Sequence, residues 1–527
     1  MTRSDSRRNV DVSPSGWPSV VGRADVPLLT ADAMRDWDRN AQEEHGIPER
    51  VLLESAGRAA ARVLHHLYPE GRGAAAVGHG NNGGDALVLL RALRAWGREV
   101  VAVPAGGEEL PAHLLHGWEI DTAPAEEAAT VFRSAAVVID GILGTGAQGA
   151  PREPQATMIE RINAAGRPVL ALDGPSGVDL TTGQTPGVAI RAEVTVTFGA
   201  PKRGLLLFPG REHAGRIVVV EVGFPPLVPR DAGAAVVTPW WASARLPSIP
   251  ANAHKGTTGT VVVLAGRSGM AGAAVLVGTA AARAGAGLVQ LVSPAENRVI
   301  LQTSLPEALF TAREEEGLGE MFADSDAIVA GPGMGTDDSA LQVLRQVLET
   351  GDAPLVLDAD ALTLLARHPE LEELVGRRSV LLTPHPGEMS HLAGAEVKEI
   401  VSDPFRFAAE IAERFGCALL LKGAPSLVAS PGTPTLANVV GHSGIATGGM
   451  GDTLAGIAGA LLAMGCSPRE AGALALFLSG RAAEIAGRGR SLLPRDIDEA
   501  LDQAFADLRS PASHPLPEVL LDLQPAR

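Results

Sequence analysis

The sequence contains few cysteines and lysines, and it lacks an apolar run of membrane-spanning length. Two cysteines, Cys417 and Cys466, are too few for a disulfide framework or a cysteine-based metal site. The sequence pattern predicts neither a transmembrane helix nor an N-terminal signal peptide. Lys+Arg 44 against Asp+Glu 61 gives a net charge of −17, which argues against nucleic acid and anionic membranes as partners. We therefore expect a soluble, cytoplasmic protein.

Lysine is rare, because only four of the 44 basic residues are lysines and the rest are arginines. A lysine ammonium is compact and mobile, whereas an arginine guanidinium is planar and rigid. A chain that uses arginine almost everywhere is expected to keep lysine where the compact group is needed. Lys202, Lys255 and Lys422 stand in glycine-rich motifs, whereas Lys398 has the setting of an ordinary surface charge. Chance remains an alternative with so few lysines.

A chain of 527 residues is too long for one ordinary core, so at least two domains are expected. In both halves, short apolar strands alternate with helical patterns, which predicts parallel sheets covered by helices on both faces. The predicted fold class is therefore α/β, with two three-layer α/β/α domains. Between residues 28 and 67 the pattern is mostly helical, with Thr30 as a candidate N-cap. The predicted divisions are a disordered tail 1–26, a first domain 27–230, a proline-rich linker 231–250, a second domain 251–507 and a C-terminal tail 508–527.

Polar and glycine-rich motifs follow several predicted strands of the first domain. Ligands bind beyond the carboxyl ends of parallel strands, so we expect these motifs to share one site. Each motif taken singly is also compatible with a turn or a helix cap, but their common edge favours a ligand site. We expect the residues before the first helix of the sheet to hold a phosphate on backbone N–H groups. The motifs are Gly78 to Asp85, Asp140 to Gly146, Asp173 to Gly177 and Gly199 to Lys202.

Individual side chains in these motifs suggest two kinds of chemistry. Asp173 is the candidate acid–base group. Asn82, Asp140 and Ser176 offer oxygens that can surround a hard monovalent cation. These side chains define the candidate site of the first domain.

Residues 80–85, 140–146 and 172–177 resemble the signature of NAD(P)H-hydrate epimerases, and the resemblance spans about residues 27 to 225. It implies a Rossmann-like domain that interconverts the R and S forms of NADH or NADPH hydrated at C6 of the nicotinamide. Asp173, with Lys202, would handle the proton at the epimerising centre. The sequence departs from the family pattern at Ala86, Gly174 and Gln148-Gly149-Ala150. The implied hydrate contacts are Asn81, Asn82, Gly83, Gly84, Asp85, Gly144, Thr145, Gly146, Ala147, Gln148, Gly149, Ala150 and Asp173, and the implied K⁺ ligands are Asn82, Asp140 and Ser176.

The second half is organised around Thr447-Gly448-Gly449-Met450-Gly451-Asp452, which precedes an apolar run from Thr453 to Met464 at helical spacing. Glycines let the backbone approach a ligand closely, and the free N–H groups of a helix start bind anions. An acid beside an anion site suits a base that takes a proton from a hydroxyl. The alternative is that Asp452 only caps the helix.

Other strand ends in the second half carry further candidates. Lys422 suits a nucleotide phosphate. His385, between two prolines, lies on a stiff loop that can position a ring or a hydroxyl, or it is a solvated loop histidine. Asp358 and Asp360 can hold Mg²⁺ through water, although a turn is equally compatible with them. His254-Lys255-Gly256 precedes the first strand and can reach over the crevice.

Residues 251 to 505 resemble the ADP/ATP-dependent NAD(P)H-hydrate dehydratases of the ribokinase-like superfamily. The matching motifs are His254 to Gly256, Gly331 to Gly335, Asp358 to Leu362, Leu382 to Glu388 and Thr447 to Asp452. The resemblance implies Mg²⁺ as cofactor and ADP or ATP as co-substrate. The implied contacts to the S-hydrate are Ala273, Gly335, His385 and Asp452, and those to the nucleotide are Lys422, Gly423, Ala424, Pro425, Ser426 and Gly451.

The fusion of both domains resembles the bifunctional NAD(P)H-hydrate repair enzymes of bacteria, with NADHX, NADPHX and adenine nucleotide as small-molecule partners. We also expect a homo-oligomer, a tetramer or larger. Gly441 to Gly444 departs from an expected Asn-Pro/Ala-Gly stretch. Pro425 departs from a glycine and removes an N–H donor from the nucleotide loop. A ribokinase-like small-molecule kinase and a nucleotide-binding protein with a decayed site are the competing hypotheses.

Overall fold

The computed structural model describes residues 19–106, 110–227 and 232–526. Residues 1–18 of the expected N-terminal tail and residues 228–231 at the expected domain boundary lie outside the described residues. Within the described parts, no helix has both the length and the apolar character needed to cross a bilayer.

The first part of the chain alternates strands and helices as the pattern predicts, and Thr30 is the N-cap of the first helix. Its strands are β1 (Val20–Gly22), β2 (Gly73–Val77), β3 (Val100–Pro104), β4 (Asp121–Thr122), β5 (Val137–Gly141), β6 (Val169–Leu172), β7 (Val194–Phe198) and β8 (Arg216–Val220). Its helices are α1 (Ala31–Glu43), α2 (Glu49–Leu67), α3 (Asn81–Ala95), α4 (Ala112–Leu115), α5 (Ala128–Ser134), α6 (Gln155–Ala164) and α7 (Gly210–Ala214).

The rest of the chain forms a second series. Its strands are β9 (Ala234–Val237), β10 (Thr260–Leu264), β11 (Leu288–Ser293), β12 (Leu309–Ala312), β13 (Ala327–Ala330), β14 (Leu355–Leu357), β15 (Val380–Leu382), β16 (Ala418–Leu421), β17 (Ser426–Ala429), β18 (Thr435–Asn438) and β19 (Val519–Leu523). Its helices are α8 (Pro239–Arg245), α9 (Ala271–Arg283), α10 (Arg298–Ser304), α11 (Leu318–Ala323), α12 (Asp338–Glu349), α13 (Asp360–Arg367), α14 (Glu372–Gly376), α15 (Pro386–Ala393), α16 (Val397–Ser402), α17 (Pro404–Phe415), α18 (Met450–Ala463), α19 (Pro468–Ala486) and α20 (Pro494–Asp507).

The strands form two sheets, so the predicted α/β fold class with two domains is confirmed. The first sheet has the order β1-β19-β8-β7-β6-β5-β2-β3-β4, and the second has the order β12-β11-β10-β13-β14-β15-β16-β17-β18-β9. Pairing from β8 to β4 and from β12 to β16 is parallel. Polar loops after neighbouring strands therefore meet at one edge of each sheet.

The first sheet is buried on both faces, as a parallel sheet requires. Alternate residues of β2 enter different cores, because side chains alternate along a strand. Ala75 and Val77 pack with α2 and α3, whereas Ala74 and Ala76 pack on the side of α5 and α6. Helices on both faces leave the edges of the sheet for the polar side chains.

Three short strands lie in segments where tails or a linker were expected. β1 falls in the expected N-terminal tail, and β19 falls in the expected C-terminal tail. β9 lies in the expected proline-rich linker, where it pairs in parallel with β18 and also bonds to residues 26–28 of the first domain. Each strand is a short apolar run whose partner is remote in the sequence, so local patterns do not reveal it. The segment after the second domain therefore supplies a strand to the first sheet, and the expected linker supplies a strand to the second.

The strand β19 is held in the first domain by a buried ion pair. Asp522 accepts from Arg216 Nε at 2.8 Å and from Nη2 at 2.6 Å, and both side chains are buried. Burial alone would raise the pKa of Asp522, but the hydrogen bonds from Arg216 and His514 outweigh it and lower the pKa. Because β19 lies between β1 and β8, this pair fastens the end of the chain inside the first sheet.

We predict that Asp522→Ala selectively destabilises the first domain. Removing one partner of a buried ion pair leaves the other charge unpaired and costs about 3–5 kcal/mol. Hydrogen exchange at increasing urea should show β7 and β8 opening earlier, with β13 and β14 unchanged. The control is Glu160→Ala, which removes an exposed acid of the same domain. Equal protection of β8 in both variants would contradict the role given to the pair.

Candidate active sites

A buried aspartate–lysine pair lies at the edge of the first sheet, after the neighbouring strands β6 and β7. Lys202 Nζ donates to Asp173 Oδ1 at 2.5 Å, to Thr197 Oγ1 at 2.8 Å and to the carbonyl of Phe198 at 3.1 Å. Lys202 is fully buried, so its ammonium has a fixed position. Asp173 has a φ of 64°, a conformation that is unfavourable for a residue other than glycine. Such strain is typical of functional sites.

The loop that begins at Gly144 starts directly against this acid. The Thr145 N–H donates to Asp173 Oδ2 at 3.0 Å. Both carboxylate oxygens of Asp173 are therefore engaged, one by Lys202 and one by the loop. Beyond Thr145, residues 146–150 are exposed, including the departure at Gln148-Gly149-Ala150.

The residues that were expected to precede the helix and hold a phosphate lie inside α3, which begins at Asn81. A side chain on Gly83 would place its Cβ 1.9 Å from the carbonyl oxygen of Gly78, so only glycine fits there. Asn81 is exposed, whereas Asp85 is buried. Burial, followed by the charges of Asp173 and Asp38, raises the pKa of Asp85 well above its usual range. Burial thus favours the protonated form of Asp85, and a protonated carboxyl group can donate a hydrogen bond.

The three candidate K⁺ ligands come together beside the aspartate–lysine pair. Asp140 accepts from Ser176 Oγ at 2.7 Å and from the Ser176 N–H at 2.9 Å. Burial raises the pKa of Asp140 to about 6, although these bonds from Ser176 oppose the shift. Asn82 Nδ2 donates to the Leu143 carbonyl at 2.9 Å, whereas its buried Oδ1 has no hydrogen-bond partner. A buried oxygen without a hydrogen-bond partner destabilises the folded state unless a ligand binds to it. The set Asn82, Asp140 and Ser176 therefore fits a cation.

A second charged cluster lies at the edge of the second sheet, after the neighbouring strands β14, β15 and β16. Lys422 Nζ donates to Asp358 Oδ1 at 2.8 Å and lies 3.9 Å from Glu388 Oε2. Burial would lower the pKa of Lys422, but the charges of Asp358 and Glu388 outweigh burial and raise it. The sequence motif Leu382 to Glu388 did not predict that Glu388 belongs to this cluster. Its position three residues after His385, close to a strand end, is the feature from which this could have been predicted.

Asp452 lies in the first turn of α18, beside this cluster. The helix starts at Met450, so the glycine-rich stretch leads into its first turn, and Gly449 has a φ of 86°. A Cβ on Gly451 would lie 3.4 Å from Lys422 Nζ and 3.6 Å from Asp358 Oδ2. Burial, and then the charge of Asp358, raises the pKa of Asp452 to about 7, whereas Lys422 lowers it. A carboxyl group with this pKa is suited to act as a base near neutral pH.

His385 is the N-cap of α15, and its ring is held in place by backbone groups. Nδ1 accepts from the N–H groups of Gly387 at 3.0 Å and of Glu388 at 3.2 Å. Glu388 Oε2 accepts from the His385 N–H at 2.9 Å in return. Since Nδ1 is an acceptor, a neutral ring carries its proton on Nε2. Nε2 lies 3.5 Å from Glu388 Oε1, and the side chain is 56% exposed, so the ring is held in place while part of it faces solvent.

The loop from Gly331 to Gly335 forms the neighbouring wall of this crevice. A Cβ on Gly331 would lie 1.8 Å from the carbonyl oxygen of Asp358, and the φ of Gly331 is 128°, so glycine is required. The Gly335 N–H donates to Asp360 Oδ2 at 2.9 Å. Asp360 therefore holds a loop, as in the turn alternative. Ala273 faces the same loop, because a Cβ added to Gly333 would lie 3.2 Å from the Cβ of Ala273.

A magnesium site built from protein side chains alone is not present: in the three described ranges, no group of three or more His, Cys, Asp or Glu residues is arranged to hold a metal. Asp358 is the acid best placed for the ion, since its Oδ2 faces Gly451 while Oδ1 is bonded to Lys422. Mg²⁺ commonly binds through one or two carboxylates, waters and substrate phosphates. The residues therefore fit an ion that arrives with a nucleotide.

Local hydrogen bonds hold the two loops of the second domain that depart from the family pattern, at Gly441 to Gly444 and at Pro425. His442 Nδ1 accepts from the Gly444 N–H at 3.0 Å, and Nε2 contacts the Ala483 carbonyl at 3.1 Å. This ring therefore fixes the loop that leads to Gly448. In the nucleotide loop, Ser426 Oγ accepts from the Gly423 N–H at 3.1 Å and closes the turn that contains Pro425. Residues 254–256 form an exposed turn.

These two sites define a class of protein. The first site combines an acid–lysine pair with an unpartnered buried amide oxygen, and the second combines an aspartate in the first turn of a helix with a nearby lysine. Together they are the parts of a two-domain α/β enzyme with one proton-transfer site and one phosphoryl-transfer site.

Comparisons with known proteins agree with this class. Residues 261–503 match the family model described as NAD(P)H-hydrate dehydratase, and residues 49–204 match the model of the YjeF-related protein N-terminus. A bifunctional NAD(P)H-hydrate repair enzyme of Salinibacter ruber is 35% identical, with 91% of this chain and 96% of the relative covered. The enzyme of the same name from Escherichia coli K12 is 35% identical over 90% of this chain and 93% of its own.

A solved structure also matches the second domain. The ADP/ATP-dependent NAD(P)H-hydrate dehydratase of Bacillus subtilis, co-crystallised with ATP and Mg²⁺, is 31% identical, with a TM-score of 0.46. It covers 51% of this chain and 97% of its own. By the full-length matches above, the chain belongs to the bifunctional NAD(P)H-hydrate repair enzymes.

We predict that Asp452 titrates near pH 7 in the ligand-free chain, because burial and Asp358 oppose its ionisation. Carboxyl-labelled aspartate followed by NMR, with Asp452→Asn to assign the resonance, measures the midpoint. Lys422→Ala should move the midpoint to higher pH, since a favourable positive charge is lost. Asp358→Asn should move it to lower pH, since a like charge is lost. A midpoint near 4 in the unsubstituted chain would contradict the arrangement.

Proposed function

We propose that this chain repairs hydrated NADH and NADPH in two steps. The first domain interconverts the R and S hydrates, and the second dehydrates the S form with ADP or ATP, releasing AMP or ADP and phosphate. The observation that carries the proposal is the position of Asp452 in the first turn of α18, next to Gly451, which lies against Lys422. Its pKa of about 7 supports a role as base. Membership of the bifunctional repair enzymes supplies the substrate class.

In the dehydration step, Asp452 takes the proton of the C6 hydroxyl of the S-hydrate. The freed oxygen attacks the terminal phosphorus of the nucleotide, and the bond from that phosphorus to the bridging oxygen breaks. The N–H groups of Gly448 to Gly451 and the ammonium of Lys422 stabilise the charge on the moving phosphoryl group. The C6–O bond then breaks, a proton leaves the neighbouring ring carbon, and the double bond of NAD(P)H forms again.

Asp358 would hold a magnesium ion through water on the nucleotide side of this site. When bound, Mg²⁺ neutralises phosphate charge during transfer. His385 offers Nε2–H to the hydrate from a ring that the helix start holds in place. Ala273 and Gly335 would line the hydrate side, and the loop from Lys422 to Ser426 would contact the nucleotide.

In the epimerisation step, Asp173 moves the proton at the epimerising centre, and Lys202 holds its Oδ1 in place. Asp85 and the N–H groups at the start of α3 would bind the hydrate. K⁺ would occupy the gap between Asn82, Asp140 and Ser176, where the unpartnered Asn82 Oδ1 supports it. The repair of a cytoplasmic cofactor with ADP or ATP is consistent with the expected compartment, and assembly as a tetramer or larger homo-oligomer remains part of the proposal.

We predict that Asp452→Asn lowers turnover of the S-hydrate at least about 10²-fold, because a general base contributes about 10²–10⁴-fold. Turnover is measured as the return of reduced-nicotinamide absorbance, and nucleotide affinity is measured by calorimetry. The affinity should survive, since the helix start and Lys422 are intact. Asp502→Asn, an exposed acid of the same domain, serves as control. Unchanged turnover in Asp452→Asn would rule out the assignment.

We also predict that potassium stabilises the first domain through Asn82. A ligand that binds only the folded state raises stability with its concentration. The melting temperature of the first domain should therefore rise with KCl, but not with choline chloride at equal ionic strength. In Asn82→Leu, the buried oxygen is absent and the KCl effect should disappear. A KCl effect of equal size in the variant would place the ion elsewhere.

A further inference from the structure

The helix α1 lies outside the matched family segment, which begins at residue 49, yet it contacts the candidate epimerase site. Arg35, one turn into this helix, donates from Nη1 to the carbonyl of Thr145 at 2.7 Å. The N–H of the same Thr145 donates to Asp173 Oδ2 at 3.0 Å. Both backbone groups of Thr145 are therefore hydrogen-bonded, the carbonyl to Arg35 of α1 and the N–H to the candidate acid Asp173.

The base of α1 is in turn fixed to the segment that carries Lys202. Leu29 pairs with Lys202 in a parallel bridge, with the Arg203 N–H donating to the Leu29 carbonyl at 2.7 Å. The Leu29 N–H donates to the Pro201 carbonyl at 3.1 Å, and Thr30 caps the helix immediately afterwards. Hydrogen bonds therefore connect the start of α1 directly to the segment that carries Lys202.

These contacts form a closed circuit around the site. It runs from Lys202 through Leu29 to α1, from Arg35 to Thr145, from Thr145 to Asp173, and from Asp173 back to Lys202 at 2.5 Å. In this circuit the Arg35 side chain supplies the bond from α1 to the loop, and that bond joins positions 110 residues apart. Removing it opens the circuit at the loop and leaves the acid–lysine pair intact.

We infer that Arg35 is a positioning residue of the first domain, which holds the Gly144 to Ala150 loop in its hydrate-binding conformation. This inference rests on the proposed epimerase function. Asp38 lies three residues further along α1, on the same side, and its charge contributes, after burial and Asp173, to the raised pKa of Asp85. The face of α1 that carries Arg35 and Asp38 is therefore a wall of the site.

The chain supplies a matched control for Arg35 on the same helix. Arg35 pairs with Asp32 and Arg39 pairs with Asp36, both at i,i+3 spacing. The two arginines share a local setting, but the Arg39 side chain is 60% exposed and pairs only within its helix turn, whereas Arg35 also bonds to the loop. A difference between the two variants therefore reports the bond to Thr145.

The test compares Arg35→Met, Arg35→Lys and Arg39→Met in the full-length chain. The rate of R-hydrate consumption above the uncatalysed rate is measured, with a separate excess of active dehydratase to remove the S form. Arg35→Met should raise KM for the R-hydrate about three- to tenfold and change kcat less than about twofold, where tenfold corresponds to about 1.4 kcal/mol. Arg35→Lys keeps a cationic donor, so its KM for the R-hydrate should return most of the way to that of the unsubstituted chain. Arg39→Met should have the same KM as the unsubstituted chain.

Hydrogen exchange of the ligand-free chain gives a readout that does not depend on activity. Peptides covering residues 143–150 should exchange faster in Arg35→Met alone, while dehydration of the S-hydrate stays the same in every variant. An unchanged KM and unchanged exchange in Arg35→Met, or equal changes in Arg39→Met, would overturn the inference. Absence of epimerase activity in the unsubstituted chain would refute the proposed function instead. The exchange result would still test whether Arg35 holds the loop in place.

Discussion

Parallel strands that are covered by helices on both faces leave one place for polar chemistry, the edge formed by their carboxyl ends. Both domains obey this constraint in the same way. In the first, Asp140, Asp173 and Lys202 are associated with the ends of the neighbouring strands β5, β6 and β7. In the second, Asp358, the segment from His385 to Glu388, and Lys422 follow the neighbouring strands β14, β15 and β16. The register of the sheets thus brings together side chains that lie far apart in the sequence.

Each edge pairs a lysine with an aspartate, and these two pairs account for two of the four lysines. A buried ammonium needs a compact set of acceptors, and Lys202 has three of them within 3.1 Å. The larger, forked guanidinium of arginine suits other geometries. The two pairs differ in their surroundings. Lys202 and Asp173 are shielded, whereas Lys422 shares its crevice with Asp358, Glu388 and Asp452. Burial, and then the charge of Asp358, raises the pKa of Asp452 there.

The local pattern was sufficient for the central strands and for the motifs at their ends. The motifs that begin at Gly78, Asp173 and Gly199 directly follow β2, β6 and β7, as predicted, because continuous apolar runs bounded by polar turns are strong signals. β1, β9 and β19 could not be predicted, because each pairs with a segment remote in the sequence. Side-chain partners were equally hidden, because the bond from Lys422 to Asp358 Oδ1 and the bond from the Gly335 N–H to Asp360 join segments that no local motif connects. The contacts of Arg35 depend on the fold and leave no motif.

The central claim is that both hydrates are repaired by one chain, and the most direct test is reduced-nicotinamide absorbance with a mixture of R and S hydrates. The mixture is supplied with Mg²⁺ and either ADP or ATP. The account predicts that all of the hydrate returns as NAD(P)H, faster than the epimers interconvert unaided. A halt after the S fraction, or no recovery with either nucleotide, would contradict it.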